Sequence, residues 1–126
     1  MNKLPVLMQN MPENLDAALI TSDTNRRYYT QFPSSAGTVV VTRDKSYLII
    51  DSRYFEAATE NAVDCKVVLQ DKLFEQVSDI LEKHNAKNIG IESDTLSLTS
   101  FEEMKSKLPD FNILGDRTLS SFIWEQ

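Results

Sequence analysis

Residues 25–54 read NRRYYTQFPSSAGTVVVTRDKSYLIIDSRY, and the predicted domain is organised around them. Residues 37–42 and 46–50 are rich in β-branched and aromatic side chains, which predicts two strands. The polar residues 43–45 that join them are too few for anything but an antiparallel hairpin. Both strands are apolar at consecutive positions, as is typical of strands that are covered on both faces. We therefore expect this hairpin to lie inside a sheet that is flanked by helices.

Strands and helices alternate on either side of the hairpin. The pattern predicts strands at residues 15–21, 65–69, 87–92 and 111–114. Helices are predicted for an amphipathic stripe at residues 4–11, a short aromatic helix or turn at 26–30, and residues 53–62, 73–81 and 101–108. This order indicates an α/β class domain with a mixed sheet of about five or six strands, without fixing the strand order.

Several side chains mark the ends and faces of these helices. Asp71 is expected to cap the start of the 73–81 helix, and Asn85 to close its end in a left-handed conformation. Residues 99–102, Thr-Ser-Phe-Glu, have the form of a capping box. The helix at 53–62 is expected to pack on the sheet through Tyr54, Ala57, Ala58 and Ala62.

Length and composition indicate one domain of an ordinary globular protein. A chain of 126 residues, 41% of them apolar and 25% charged, has room for a single hydrophobic core. It contains no apolar stretch long enough to span a membrane, and residues 1–5 do not have the form of a secretory signal. The single cysteine, Cys65, cannot form an internal disulfide, so a cytoplasmic location is expected.

The charge balance argues against nucleic acid as a partner. The formal net charge is −6, whereas binding of phosphates requires clustered Lys and Arg. Arg26 and Arg27 form a local basic pair, and we interpret them as a solvated surface pair.

The sequence lacks the usual patterns of nucleotide and metal sites. Its three glycines, Gly37, Gly90 and Gly115, are isolated and do not form a phosphate-binding loop. With one His and one Cys, a metal site would have to be built from carboxylates. The pairs Glu102 with Glu103 and Glu92 with Asp94 are expected to be solvated, so no metal site is predicted.

Nucleophilic catalysis is not predicted either. His84 would have to activate Ser34, Ser35 or Cys65, yet it lies at a predicted helix end, where a cation favours the helix dipole. Cys65 opens a strand among apolar neighbours, which favours a buried and unreactive thiol.

Arg53 follows the strand at 46–50, where α/β folds tend to place ligand-binding groups. Two roles are open for it: pairing with Asp51 or another carboxylate to fix this corner, which we favour, or contact with a ligand.

Four segments in register resemble a known family. They are LDAALITS at 15–22, NRRYYTQF at 25–32, SAG at 35–37 and DSRY at 51–54. In order and spacing, across essentially the whole chain, they are similar to the creatinase/prolidase amino-terminal domain, which precedes the catalytic domain of Xaa-Pro dipeptidases and aminopeptidases P. The chain departs from the family at Gln31, where a Gly that permits a positive φ usually precedes the Phe.

The resemblance implies a three-layer fold related to ribonuclease H and no catalytic residue in residues 1–126. It places catalysis in a following pita-bread domain, absent from this chain, that holds two divalent metal ions, usually manganese or cobalt. The family's amino-terminal domain is known for forming homodimers and for overhanging the active site of a partner subunit. The resemblance then makes five residues candidates for a substrate rim: Tyr28, Tyr29, Phe32, Arg53 and Tyr54.

We therefore expect a non-catalytic amino-terminal domain of a Xaa-Pro dipeptidase or related peptidase that acts on proline-containing peptides. The apolar residues of the 118–124 segment are expected to be covered by the following domain, or else to form a helix docked on this domain's own sheet. Two alternatives stay open: a free-standing interaction or small-ligand-binding domain, and the amino-terminal domain of a creatinase-type amidinohydrolase.

Overall fold

The computed structural model describes residues 3–92 and 96–115. The helices in these residues are α1 (Lys3–Asn10), α2 (Asp23–Thr30), α3 (Ser52–Asn61), α4 (Leu73–Lys83) and α5 (Leu98–Lys107). The strands are β1 (Ala17–Ile20), β2 (Thr38–Thr42), β3 (Ser46–Ile50), β4 (Lys66–Leu69), β5 (Asn88–Ile91) and β6 (Asn112–Gly115). Every helix and strand predicted above is present. The 118–124 segment lies outside the described residues.

The strands of the described residues form one mixed sheet in the order β4-β3-β2-β1-β5-β6. The hairpin prediction is confirmed, because β2 and β3 pair antiparallel with Val40 opposite Tyr47. β2 is also antiparallel to β1, and the remaining pairs are parallel. All strands except β2 therefore end at one edge of the sheet, which we call the carboxyl edge, and β2 begins there.

Helices cover both faces of the sheet. Every residue of β2 and β3 is buried, which explains their uninterrupted apolar sequences. On one face α1, α2 and α3 contribute Leu4, Leu7, Tyr29 and Ala58 to a core, and on the other α4 and α5 contribute Val77, Leu81 and Met104. The predicted three-layer α/β architecture is confirmed.

Two predicted helix starts are wrong. Asp71 does not cap α4, whose N-cap residue Lys72 makes no side-chain cap bond. Instead Gln76 of the helix turns back, accepting from the Asp71 N–H at 2.9 Å and donating to the Leu69 carbonyl at 2.9 Å. α5 starts one residue before the predicted capping box, because the Ser97 side chain already accepts from the backbone N–H of the third helical residue. Asn85 closes α4 with φ +57°, as predicted.

The packing face of α3 differs from the expectation by one residue. Ala57 is exposed, whereas Ala58 is fully buried and Phe55 packs against the same core. The larger Phe55 side chain reaches that core in place of Ala57, so α3 packs through Tyr54, Phe55, Ala58 and Ala62.

Gln31 takes the conformation that Gly usually provides at this turn. It ends α2 with φ +59° and ψ +23°, and its N–H donates to the Arg27 carbonyl. This left-handed conformation costs a residue with a Cβ roughly 1 kcal/mol. The chain therefore keeps the turn at the expense of local strain.

Replacing Gln31 with Gly is expected to raise the free energy of unfolding by about 0.5 kcal/mol, since relief of the strain exceeds the added freedom of the unfolded chain. Urea unfolding measures the change. The control is Gln31→Ala, which retains a Cβ and should give no gain. A Gly variant that is less stable than the Ala variant would contradict the strain argument.

Candidate functional site

At the carboxyl edge, the connections that follow two neighbouring strands run to opposite faces of the sheet. β1 and β5 pair in parallel. After β1 the chain enters α2, which packs in the first core, and after β5 it enters α5, which packs in the second core on the opposite face. Such a divergence opens a crevice, and α/β proteins commonly bind ligands in it.

In this chain the crevice is occupied by the carboxylate of Glu92, the residue that follows β5. Glu92 is 1% exposed. Its Oε1 accepts from the backbone N–H groups of Thr21 at 2.6 Å and Ser22 at 3.0 Å. Its Oε2 accepts from the Ser22 hydroxyl at 2.6 Å and from the Asn25 side-chain amide. The expectation that Glu92 is solvated is therefore wrong.

The Glu92 carboxylate lies where a helix favours an anion. Ser22 is the N-cap of α2, so its N–H is one of the donors that the start of the helix leaves without an intrahelical acceptor. Nucleotide-binding folds place a phosphate in the equivalent position. Here the protein supplies its own carboxylate, which joins β5 to the start of α2.

Arg26 makes the second cluster at this edge. Its side chain is 2% exposed and donates to five acceptors. They are the carbonyls of Thr21 (2.8 Å), Ser34 (2.8 Å) and Gly37 (3.3 Å), the Ser34 hydroxyl (3.2 Å) and the Asp23 carboxylate (2.6 Å). The prediction that both arginines are solvated is therefore wrong for Arg26. It is confirmed for Arg27, which is exposed.

Gly37 packs closely against the Arg26 side chain. Its φ is +142°, which residues with a Cβ rarely adopt, and an added Cβ would lie 3.1 Å from Arg26 Cδ. The loop of residues 33–37 thus runs directly over the guanidinium that holds it. Arg26 and Gly37 together set the position of this loop between α2 and β2.

The loop connects Arg26 to an exposed group that we call the Arg53 patch: Ser35, Asp51, Arg53 and Tyr54. Arg53 makes a two-pronged contact with Asp51, with Nε to Oδ1 at 3.2 Å and Nη2 to Oδ2 at 2.8 Å. Its guanidinium lies 5.1 Å from the centre of the Tyr54 ring, and the Tyr54 hydroxyl is 2.7 Å from the Ser35 hydroxyl. The favoured pairing of Arg53 with Asp51 is confirmed.

The Arg53 patch is electrostatically coupled and open to solvent. Arg53 is 65% exposed, more than its partner Asp51. The hydrogen bonds from Arg53 lower the pKa of Asp51, and those bonds raise the pKa of Arg53. The hydrogen bond with Ser35, helped by the charge of Arg53, lowers the pKa of Tyr54. The patch thus presents the Arg53–Asp51 ion pair beside a polarised phenol.

The aromatic candidates divide between the core and this patch. Tyr29 is 1% and Phe32 7% exposed, and burial raises the pKa of Tyr29. Tyr28 is half-buried, and its ring packs edge-on against Tyr29. Phe32 packs edge-on against Tyr54, with ring centres 6.4 Å apart. Of the five candidates, Phe32, Arg53 and Tyr54 are therefore brought together, and Arg53 and Tyr54 carry the exposed surface.

His84 does not pair with any of the three nucleophiles that it would have to activate. The residue ends α4 as expected, and its ring contacts the Tyr47 hydroxyl at 2.8 Å and the Asp44 carboxylate at 3.5 Å. The His84 ring makes no hydrogen bond or ion pair with Ser34, Ser35 or Cys65. Burial raises the pKa of the Cys65 thiol to about 11, which disfavours the reactive thiolate, as expected.

Within residues 3–92 and 96–115, no three His, Cys, Asp or Glu side chains converge as a metal site requires. The donor set of this part of the chain therefore does not fit the two metal ions that the family resemblance implies. In the same residues, no helix combines the length and the apolar character needed to cross a membrane.

Three residues of this edge were not predicted from the sequence to have their observed roles: Arg26, Glu92 and Ser34. Glu92 could have been found from its position, because it directly follows the buried strand β5 at the edge where α/β folds place functional groups. Arg26 lies inside the aromatic segment that resembles the family, which marks it as more than a surface charge. No sequence signal distinguishes Ser34 from Ser35.

Comparisons with known proteins agree with this fold. The family model described as the creatinase/prolidase N-terminal domain matches residues 2–116. A provisionally named Xaa-Pro aminopeptidase of Mycoplasma pneumoniae is 38% identical over 115 residues, which are 90% of this chain and 32% of that protein. The peptidase YqhT of Bacillus subtilis, which is uncharacterised, is 30% identical over 79% of this chain and 29% of its own. The chain thus spans about a third of the length of these curated relatives.

Solved structures resemble the chain along almost its whole length. A Xaa-Pro dipeptidase from Bacillus anthracis superposes with a TM-score of 0.82 and 25% identity, over 95% of this chain and 33% of that one. A Xaa-Pro aminopeptidase from Streptococcus pyogenes gives 0.84 and 27%, over 94% of this chain and 92% of that one. The match of the family model and these superpositions establish that the chain belongs to the creatinase/prolidase N-terminal domain family.

Proposed function

We propose that this chain is the non-catalytic N-terminal domain of a Xaa-Pro peptidase, a dipeptidase or aminopeptidase that hydrolyses Xaa-Pro peptides. The observation that carries the proposal is how much of its relatives the chain covers. It matches about a third of the length of proteins that are named as Xaa-Pro aminopeptidases. Catalysis then belongs to the remaining two-thirds, in a domain that follows this one. In the proposal, the parent protein is a cytoplasmic homodimer.

The parent is proposed to use two divalent metal ions, manganese or cobalt, held by the catalytic domain. When bound there, such ions would activate a water molecule for attack on the Xaa-Pro peptide bond. In the proposal the present chain contributes no ligand to them; residues 3–92 and 96–115 contain no group of three or more His, Cys, Asp or Glu that could hold a metal ion. Its contribution is to position side chains around the substrate.

The Arg53 patch is the surface that we propose for this role, as the rim that covers the active site of a partner subunit. Peptides end in a carboxylate, and an exposed guanidinium is well suited to bind one. Asp51 and the Tyr54 ring fix the orientation of Arg53, so less conformational freedom is lost on binding. Phe32 supports Tyr54 from the core, and Tyr28 and Tyr29 of α2 pack edge-on against each other.

The rim role is tested by Arg53→Met in the full-length parent. We expect KM for a Xaa-Pro peptide to rise about fivefold to tenfold with kcat within twofold, since a contact that binds substrate and transition state equally is lost. The matched control is Lys72→Met, because Lys72 is similarly exposed, at the start of α4. An unchanged KM, or an equal effect of the control, would remove Arg53 from the rim.

The chain of 126 residues, purified alone, is expected not to hydrolyse Xaa-Pro dipeptides. The reason is twofold: its described residues contain no metal cluster, and the ring of its one histidine contacts Tyr47 instead of Ser34, Ser35 or Cys65. Incubation with a Xaa-Pro dipeptide and manganese, with released proline measured, tests this directly. Turnover that co-purifies with the chain and exceeds that of a mock preparation would refute the assignment as non-catalytic.

A further inference from the structure

A cavity of about 250 Å³ lies at the carboxyl edge, between α4, α5 and the sheet. Leu19 at the end of β1 and Thr38 at the start of β2 line its sheet side, and Val77 of α4 and Met104 of α5 line its walls. Leu19, Val77 and Met104 are each at least nine-tenths buried. The cavity thus enters the second core from the edge at which α/β folds bind ligands. It lies on the opposite face of the sheet from the helices that carry the Arg53 patch.

The lining of the cavity is mostly apolar, with few polar groups. Phe74 of α4 is half-buried there, and three lining residues bring hydroxyl groups: Thr21, Thr38 and Ser100. Among the described residues that line the cavity, the exposed Glu103 of α5 is the one charged side chain, and none is basic. Within the described residues Glu103 makes no ion pair. An apolar cavity with a few convergent polar groups is the usual form of a small-molecule site.

From this arrangement we infer that the cavity binds a small organic cation, a protonated amine attached to an aromatic or branched aliphatic body. The body would pack among Phe74, Val77 and Met104, and the ammonium group would be paired with Glu103. A cation is selected over an anion because the one charge among the described lining residues is a carboxylate. This inference does not depend on the proposed peptidase function, since the cavity shares no residue with the Arg53 patch.

Phenethylamine is a suitable probe, and methionine methyl groups are suitable reporters. In the methyl-labelled 126-residue chain, Met104 lines the cavity, whereas Met8 and Met11 belong to the opposite core. We expect titration with millimolar phenethylamine to give a saturable shift of the Met104 methyl signal and little change at Met8 and Met11. Phenylacetate, which has the same ring but a negative charge, should bind at least fivefold more weakly.

The role of Glu103 is tested by Glu103→Gln, which is expected to weaken phenethylamine binding at least fivefold. Glu102→Gln is the matched control, since Glu102 is the adjacent exposed carboxylate and does not line the cavity. It should leave the affinity unchanged. A Met104 signal that does not saturate, equal binding of phenylacetate, or equal effects of the two variants would each overturn the inference.

Discussion

Replacement of Glu92 by Ala is expected to lower the free energy of unfolding by about 4 kcal/mol, because several buried donors lose one acceptor at once. The N–H groups of Thr21 and Ser22 and the Asn25 amide all donate to this carboxylate. Each buried donor that loses its acceptor costs about 1–3 kcal/mol, with partial relaxation. Urea unfolding of the wild-type and variant chains measures the difference.

Two comparisons separate loss of these hydrogen bonds from a general effect of substitution. Glu102→Ala, at an exposed carboxylate on α5, should change stability by less than about 0.5 kcal/mol. Acetate should partly restore the stability of the Glu92→Ala chain, relative to chloride at equal ionic strength, since the vacated crevice retains donors that suit a carboxylate. A loss below about 1 kcal/mol would contradict the role given to Glu92.

Replacement of Arg26 by Met is expected to cost about 3 kcal/mol of stability, because the carbonyls of Thr21, Ser34 and Gly37 lose a buried donor. Met retains most of the aliphatic packing, so the loss reports mainly on the hydrogen bonds. The amides of the 33–37 loop should also exchange with solvent faster, since this side chain holds the loop against α2. Urea unfolding and amide hydrogen exchange give the two readouts.

Arg27→Met is the matched control for this substitution. Arg27 is the next residue of α2 and is exposed, so its replacement should change the stability by less than about 0.5 kcal/mol. Equal effects of the two substitutions would show that the buried contacts of Arg26 contribute nothing beyond those of a surface charge. Loss of stability without faster exchange in the loop would show that Arg26 supports α2 alone.

Together these contacts form a continuous path along the carboxyl edge. Thr21 donates to Glu92 and accepts from Arg26, and Arg26 in turn binds Ser34. The next residue of the loop, Ser35, contacts Tyr54 of the Arg53 patch. The position of this exposed patch is therefore set by buried groups that lie far from it in the sequence.

The sequence by itself determined the secondary structure and the layered architecture. The uninterrupted apolar runs of β2 and β3 require cover on both faces, and the short polar turn between them permits only a hairpin. These are local properties, since the periodicity and length of a segment decide which faces are buried. The Arg53 contact with Asp51 was predictable for the same reason, because only one residue separates the two.

The tertiary structure alone decided the strand order, the burial of Arg26 and the burial of Glu92. In a sequence a charged residue resembles a surface residue unless its partners are known. The partners of Arg26 lie 3 to 11 residues away and meet it only when residues 33–37 fold back on α2, and the partners of Glu92 are far more remote. Ser22 and Glu92 are 70 residues apart and meet only because β5 inserts beside β1. The physical reason is that a buried charge is stable only where enough hydrogen-bonding groups converge on it, and that convergence is created by the fold.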